Sequence, residues 1–104
     1  LGVLSATANS ATDCLIRVEL QEFSQVFDSP QSSRGVLTAS VSLIDGKRRV
    51  VAERLAVIDK PALGADASGG VQALVAASTE FGRLLSDWLL ELEKNGGLKS
   101  CRLA

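Results

Sequence analysis

The stretch "GVLTASVSLIDGKRRVVAERLAVID" (Gly35–Asp59) decides the fold. Leu37, Ala39, Val41 and Leu43 alternate with Thr38, Ser40 and Ser42, the two-residue period of a strand with one face toward a core. Strand character is predicted from Gly35 to Ile44. Asp45-Gly46 then stands at the expected centre of a tight hairpin, because Asp-Gly tolerates the positive φ such turns need. The return strand, Val50 to Asp59, is apolar on both parities: Val50, Ala52, Ala56 and Ile58 against Val51, Leu55 and Val57. A strand buried on both faces reads this way, and its register stays open. Pro61 ends it.

Downstream, residues 60–70 form a Gly/Ala/Asp loop, and then the period changes. Val71, Leu74, Val75, Ser78, Phe81, Leu85, Trp88, Leu89 and Leu92 recur at three- and four-residue steps, predicting one apolar stripe on a long helix. Asp66 or Ser68 is placed to cap its start, and Gly96-Gly97 to stop it. About 24 residues of helix span ~36 Å, enough to cover several strands. The tail from Leu98 to Ala104 is expected to return as a short extended piece.

Upstream, "ELQEFSQVFDSPQSSRGVL" (Glu19–Leu37) carries the less regular half of the sheet. From Cys14, the residues Ile16, Val18 and Leu20 alternate with Arg17, Glu19 and Gln21 as a half-buried strand does. Phe23 then falls on the wrong parity and Val26 recovers it, so a bulge is expected near Glu22–Gln25. Asp28-Ser29-Pro30 through Arg34 supplies a turn. Residues 1–13 are small and polar, and read as a short edge strand and a loop. The expected architecture is α+β: an antiparallel sheet of three or more strands with one long C-terminal helix packed on one face.

With 104 residues, the chain is one domain, residues 1–104. It is 46% hydrophobic and 22% charged, the balance of a globular domain. Its net charge of −1 and lack of a clustered basic surface argue against nucleic acid. Lys47-Arg48-Arg49 reads as a solvated hairpin end. No apolar run approaches the roughly 18 residues of a membrane span. "LGVLSATANSA" has A-x-A spacing, but its apolar part is too short for a signal peptide and it has no basic n-region.

Chemistry is poorly provided for. There is no histidine, so the usual general base and triad centre are missing. No nucleophile elbow, phosphate loop or dinucleotide fingerprint occurs. Cys14 and Cys101 cannot form a redox pair or a zinc knuckle at their spacing. They stand either as a disulfide stapling the first strand to the tail or as two buried thiols. No catalytic, cofactor or metal residues are therefore assigned. The aromatics that periodicity leaves unexplained are Phe23 and Phe27. With Val26 and Asp28 they make a candidate contact surface for a protein or lipid partner. The competing reading is that both rings plug one end of the sheet–helix sandwich.

Taken in series, "EFSQVFDSP", "SRGVLTASVSLID", "RRVVAERLAVIDKPA", "ADASGGVQALVAAS" and "LLSDWL" resemble the ABC-type transport auxiliary lipoprotein component family, over roughly Asp13 to Glu93. That family is associated with Mce-type and paraquat-inducible lipid-trafficking systems. The resemblance implies a non-enzymatic accessory protein on the periplasmic side of the bacterial envelope, held to a membrane by an N-terminal lipid. It implies Mce-type substrate-binding and permease subunits as partners, with lipid contact and homo-oligomers within reach. On this reading the signal peptide, lipid-bearing cysteine and early strands of the family lie outside this chain. The alternative expectation is a free-standing structural or oligomerising periplasmic module with no transport role.

Overall fold

A computed structural model of the chain describes residues 3–5, 14–99 and 101. Four strands, β1 (Val3–Ser5), β2 (Leu15–Ser29), β3 (Ser32–Ile44) and β4 (Val50–Pro61), form an antiparallel sheet in chain order, followed by α1 (Ala67–Lys94). The helix lies across one face of the sheet, over β2, β3 and β4. This is the expected α+β arrangement. The short N-terminal edge strand is present as β1, while the loop expected after it falls outside the described residues.

The alternation in β3 is realised as read. Leu37, Ala39, Val41 and Leu43 are buried beneath the helix, while Thr38, Ser40 and Ser42 face away. Leu37, Ala39, Ile58 and Ala77 form the core cluster, with Val18, Leu20 and Phe81 packed around it.

The β2–β3 connection is tighter than expected. Strand pairing continues to Ser29↔Ser32, leaving Pro30-Gln31 as the turn, so β3 begins before Gly35. One bulge lies between Leu20 and Glu22, so Gln21 is the extra residue rather than one in Glu22–Gln25, and a second register shift falls at Asp28, between Phe27 and Ser29. Opposed residues in an antiparallel pair share a face. Phe23, opposite Leu37, therefore returns to the helix side with Val18 and Leu20. Val26, opposite Arg34, passes to the other side, contrary to its sequence parity.

The β3–β4 hairpin also differs from expectation. Asp45 donates its N–H to the Arg49 carbonyl at 2.9 Å, and Arg48 N–H returns to Asp45 O at 2.9 Å. Asp45 thus anchors a three-residue loop instead of sitting at its centre. The left-handed position falls on Arg48 (φ 65°), not on Gly46. The Asp45 carboxylate, buried under the loop, accepts from Lys47 N and Arg49 N, both at 2.9 Å.

In β4 the register is set by Leu37↔Ile58 and Ala39↔Ala56. Ala56 and Ile58 are buried toward the helix. Val51, Leu55 and Val57 lie on the opposite parity and are exposed. The strand is therefore buried on one face only, because the sheet has a helix layer on one side alone among the described residues.

The helix is longer than expected, 28 residues, with Asp66 as its cap: the carboxylate accepts from Gly69 N at 2.8 Å. Gly97 N reaches Leu92 O at 2.7 Å and Gly96 N reaches Glu93 O at 3.2 Å, with Gly96 at φ 74°. This pair of bonds is the glycine-terminated helix stop the sequence suggested.

Its buried face, however, is rotated from the predicted stripe. Gly70, Ala73 and Ala77 face the sheet, while Val71, Val75 and Ser78 are exposed. The cause is the close approach of helix and sheet at Gly35, where a Cβ would lie only 2.9 Å from the Cβ of Ala73. Only small residues fit that contact, so the valines are turned out. Further along, Phe81, Leu85, Trp88, Leu89 and Leu92 are half-buried, and Lys60 and Glu80 pair between β4 and the helix.

Candidate docking surface

Phe23 and Phe27 are both only partly covered. They are 42% and 52% exposed, on the helix side of β2. Phe23 lies against the turned-out face of α1 and closes a groove of about 320 Å³ with Val71, Leu74 and Val75. The groove wall is apolar, with Ser78 and Thr79 at one end, and both hydroxyls are engaged by the helix's own carbonyls at Leu74 and Val75.

Among the described residues, much of the outer backbone of β2 is also uncovered. β1 covers β2 only along Arg17–Glu19. Beyond that point no strand among the described residues pairs with the outer edge of β2. The groove thus combines an exposed aromatic and β-branched side chains with edge backbone that no described strand pairs, the combination that strand-addition binding uses.

Of the four residues assigned from sequence, Phe23 lines the groove, and Phe27 lies on the same face of β2 outside its lining. Val26 is half-buried on the opposite face. Asp28 also serves that face, where its carboxylate accepts from Arg34 Nε at 3.1 Å while Arg34 also bonds Asp59. Asp59 first and Asp28 second hold the Arg34 guanidinium above its ordinary pKa. The trio bridges β2, β3 and β4 and is a sheet clamp.

Sequence reasoning missed Val71 and Val75 as surface residues. The signal available was the set of small residues Gly70, Ala73 and Ala77, which recur at helical spacing beside them.

Gln25 ties β2 to β3 and to the start of the helix. Its Nε2 donates to Ser33 Oγ and to the Asp66 carbonyl, each at 2.9 Å. At the far end of the sandwich, Cys14 and Cys101 are joined as a disulfide, with their Cα atoms 5.2 Å apart. Beside it a second apolar cleft of about 310 Å³ is lined by Ile16, Leu43, Leu89, Leu90 and Leu98.

No group of three metal-ligating side chains occurs among the described residues, and no described helix is long and apolar enough to cross a membrane. Comparison with protein-family models, with curated proteins and with solved structures gives no match.

Proposed function

We propose that this chain is a non-enzymatic auxiliary component of a bacterial envelope ABC transport system that moves phospholipid or related lipids between membranes. It docks a partner subunit in the groove formed by Phe23, Val71 and Val75. The observation that carries the docking role is this apolar groove beside a β2 edge that no strand among the described residues pairs beyond Glu19. The transport context rests on the serial resemblance of the segments between Asp13 and Glu93. The Cys14–Cys101 disulfide is in keeping with a periplasmic location, because disulfides persist in oxidising compartments. On this reading the chain faces the periplasm, is anchored by a lipid upstream, and leaves ATP hydrolysis to another subunit.

The test is affinity purification of the full-length protein from envelope fractions of its source cells. Transporter subunits are expected with the wild type and lost with Phe23→Ser/Phe27→Ser, while the unfolding midpoint stays unchanged. A double variant that no longer unfolds cooperatively assigns the two rings to the core and removes the docking role.

The second reading, an oligomerising periplasmic module, is favoured by one observation: Val51, Leu55 and Val57 exposed along edge strand β4. Recovery of a symmetric oligomer without transporter subunits selects it.

A further inference from the structure

β4 is the other edge of the sheet, on the side away from the Phe23 groove. Among the described residues its outer backbone has no partner. Leu55 and Val57 are 59% and 66% exposed. Such an edge is a template for pairing with another chain unless something blocks it. Here Pro61 ends the strand, but the run from Val50 to Lys60 carries no proline.

The direction of the backbone groups follows from one bond. Ala62 N donates to Ser33 O at 2.9 Å. Hydrogen-bonded and non-bonded pairs alternate along an antiparallel ladder. Stepping back through Gly35↔Lys60, Leu37↔Ile58, Ala39↔Ala56 and Val41↔Arg54, those β4 residues bond inward to β3. Glu53, Leu55, Val57 and Asp59 therefore point their N–H and C=O groups outward.

We infer that two copies of this chain pair edge to edge through β4, antiparallel, about a two-fold axis at Leu55. Charge selects that register. Directly opposed residues share a face, and like charges opposed there are destabilising. The two-fold registers that keep most of β4 paired are centred on Arg54, Leu55, Ala56 or Val57. Centring on Arg54 opposes that arginine to itself. Centring on Ala56 opposes Glu53 to Asp59, and centring on Val57 opposes Arg54 to Lys60. At Leu55 no like charges are directly opposed: Glu53 faces Val57, Val51 faces Asp59, Ala52 faces Ile58, and Arg54 faces Ala56. Leu55 meets its own copy at the centre, with its outward backbone groups completing a hydrogen-bonded pair. The result is one continuous sheet with the exposed Val51, Leu55 and Val57 of both copies side by side, away from the helices.

The test is the solution mass of the purified full chain by sedimentation equilibrium, with two lysine variants and one cysteine series. The wild type is expected at twice the 10.9 kDa monomer. Leu55→Lys, which opposes two lysines on the axis, is expected to halve the mass. Val57→Lys, which places its ammonium opposite Glu53 of the second copy, is expected to remain dimeric. Under mild oxidation, Leu55→Cys is expected to give a covalent dimer on a non-reducing gel, whereas Glu53→Cys and Val57→Cys alone are not. A monomeric wild type, a dimer that survives Leu55→Lys, or cross-linking at Val57→Cys but not at Leu55→Cys overturns the inference. The Phe23/Phe27 docking surface is untouched by these variants, so the two proposals fail separately.

Discussion

Gly35 on β3 and Ala73 on α1 meet at the closest point between helix and sheet: a Cβ on the glycine would lie 2.9 Å from the Ala73 Cβ and 3.0 Å from backbone atoms of Ala73 and Leu74. That contact turns Val71 and Val75 outward, and with them creates the apolar wall facing Phe23. A glycine in the sheet thus determines which apolar side chains the start of the helix exposes.

Gly35→Ala is therefore expected to destabilise by about 1–3 kcal/mol, since backbone on the facing helix must give way. Gly82→Ala is the control. A Cβ there meets nothing within 4 Å on an exposed helical turn. It is expected to stabilise by about 0.5–1 kcal/mol through helix propensity. Urea denaturation of the two variants measures both signs.

Arg48 occupies the left-handed position of the β3–β4 loop at φ 65°. A non-glycine residue there carries a cost of roughly 1–2 kcal/mol. Arg48→Gly is expected to raise stability by about 1 kcal/mol, read as a higher denaturation midpoint at unchanged slope.

Asp45 lies under the same loop, and the hydrogen bond from the Arg49 backbone, followed by that from Lys47, holds its carboxyl below the ordinary value of 3.8 despite opposing desolvation. A depressed carboxylate stabilises the fold fully above its unfolded pKa, and the contribution is lost as pH falls through the folded value. Glu80, lowered chiefly by its hydrogen bond from Lys60, acts in the same direction from an ordinary value of 4.5. Thermal stability is expected to be level near neutrality and to fall below about pH 4.5. Asp45→Asn keeps an oxygen for both backbone donors but cannot titrate, so its acid limb is expected to be shallower than that of the wild type.

The disulfide closes the chain across 87 residues, from the start of β2 to the tail beyond α1. Loop-closure entropy sets an upper estimate of roughly 4–5 kcal/mol for such a link. Reduction, or Cys14→Ser/Cys101→Ser, is expected to lower Tm by well over 10 °C, because each kcal/mol moves a domain of this size by about 4–8 °C.

Much of the fold is legible in the chain because two periods are clean. Leu37, Ala39, Val41 and Leu43 announce a strand with one buried face, and the helix stands out by its three- and four-residue spacing. Which face the helix buries is not legible from hydrophobicity, which ranks Val71 and Val75 above Ala73 and Ala77. The selection is made by size at a long-range contact with Gly35. The same limit applies at β4, where both parities are apolar but only Ala56 and Ile58 face a second layer. In β2 the parity break at Phe23 signals a bulge without locating it at Gln21. That one-residue displacement sends Val26 and Asp28 to the face opposite Phe23 and Phe27, splitting the contact surface expected from sequence.

The most direct test of the docking account is in-cell photocross-linking from position 23 or 27 in the full-length protein, followed by identification of the cross-linked subunit. The account predicts a discrete adduct with a subunit of an inner-membrane lipid transporter, lost with Val71→Glu/Val75→Glu. Cross-links confined to a second copy of this chain, or none at either position in the native envelope, would contradict it.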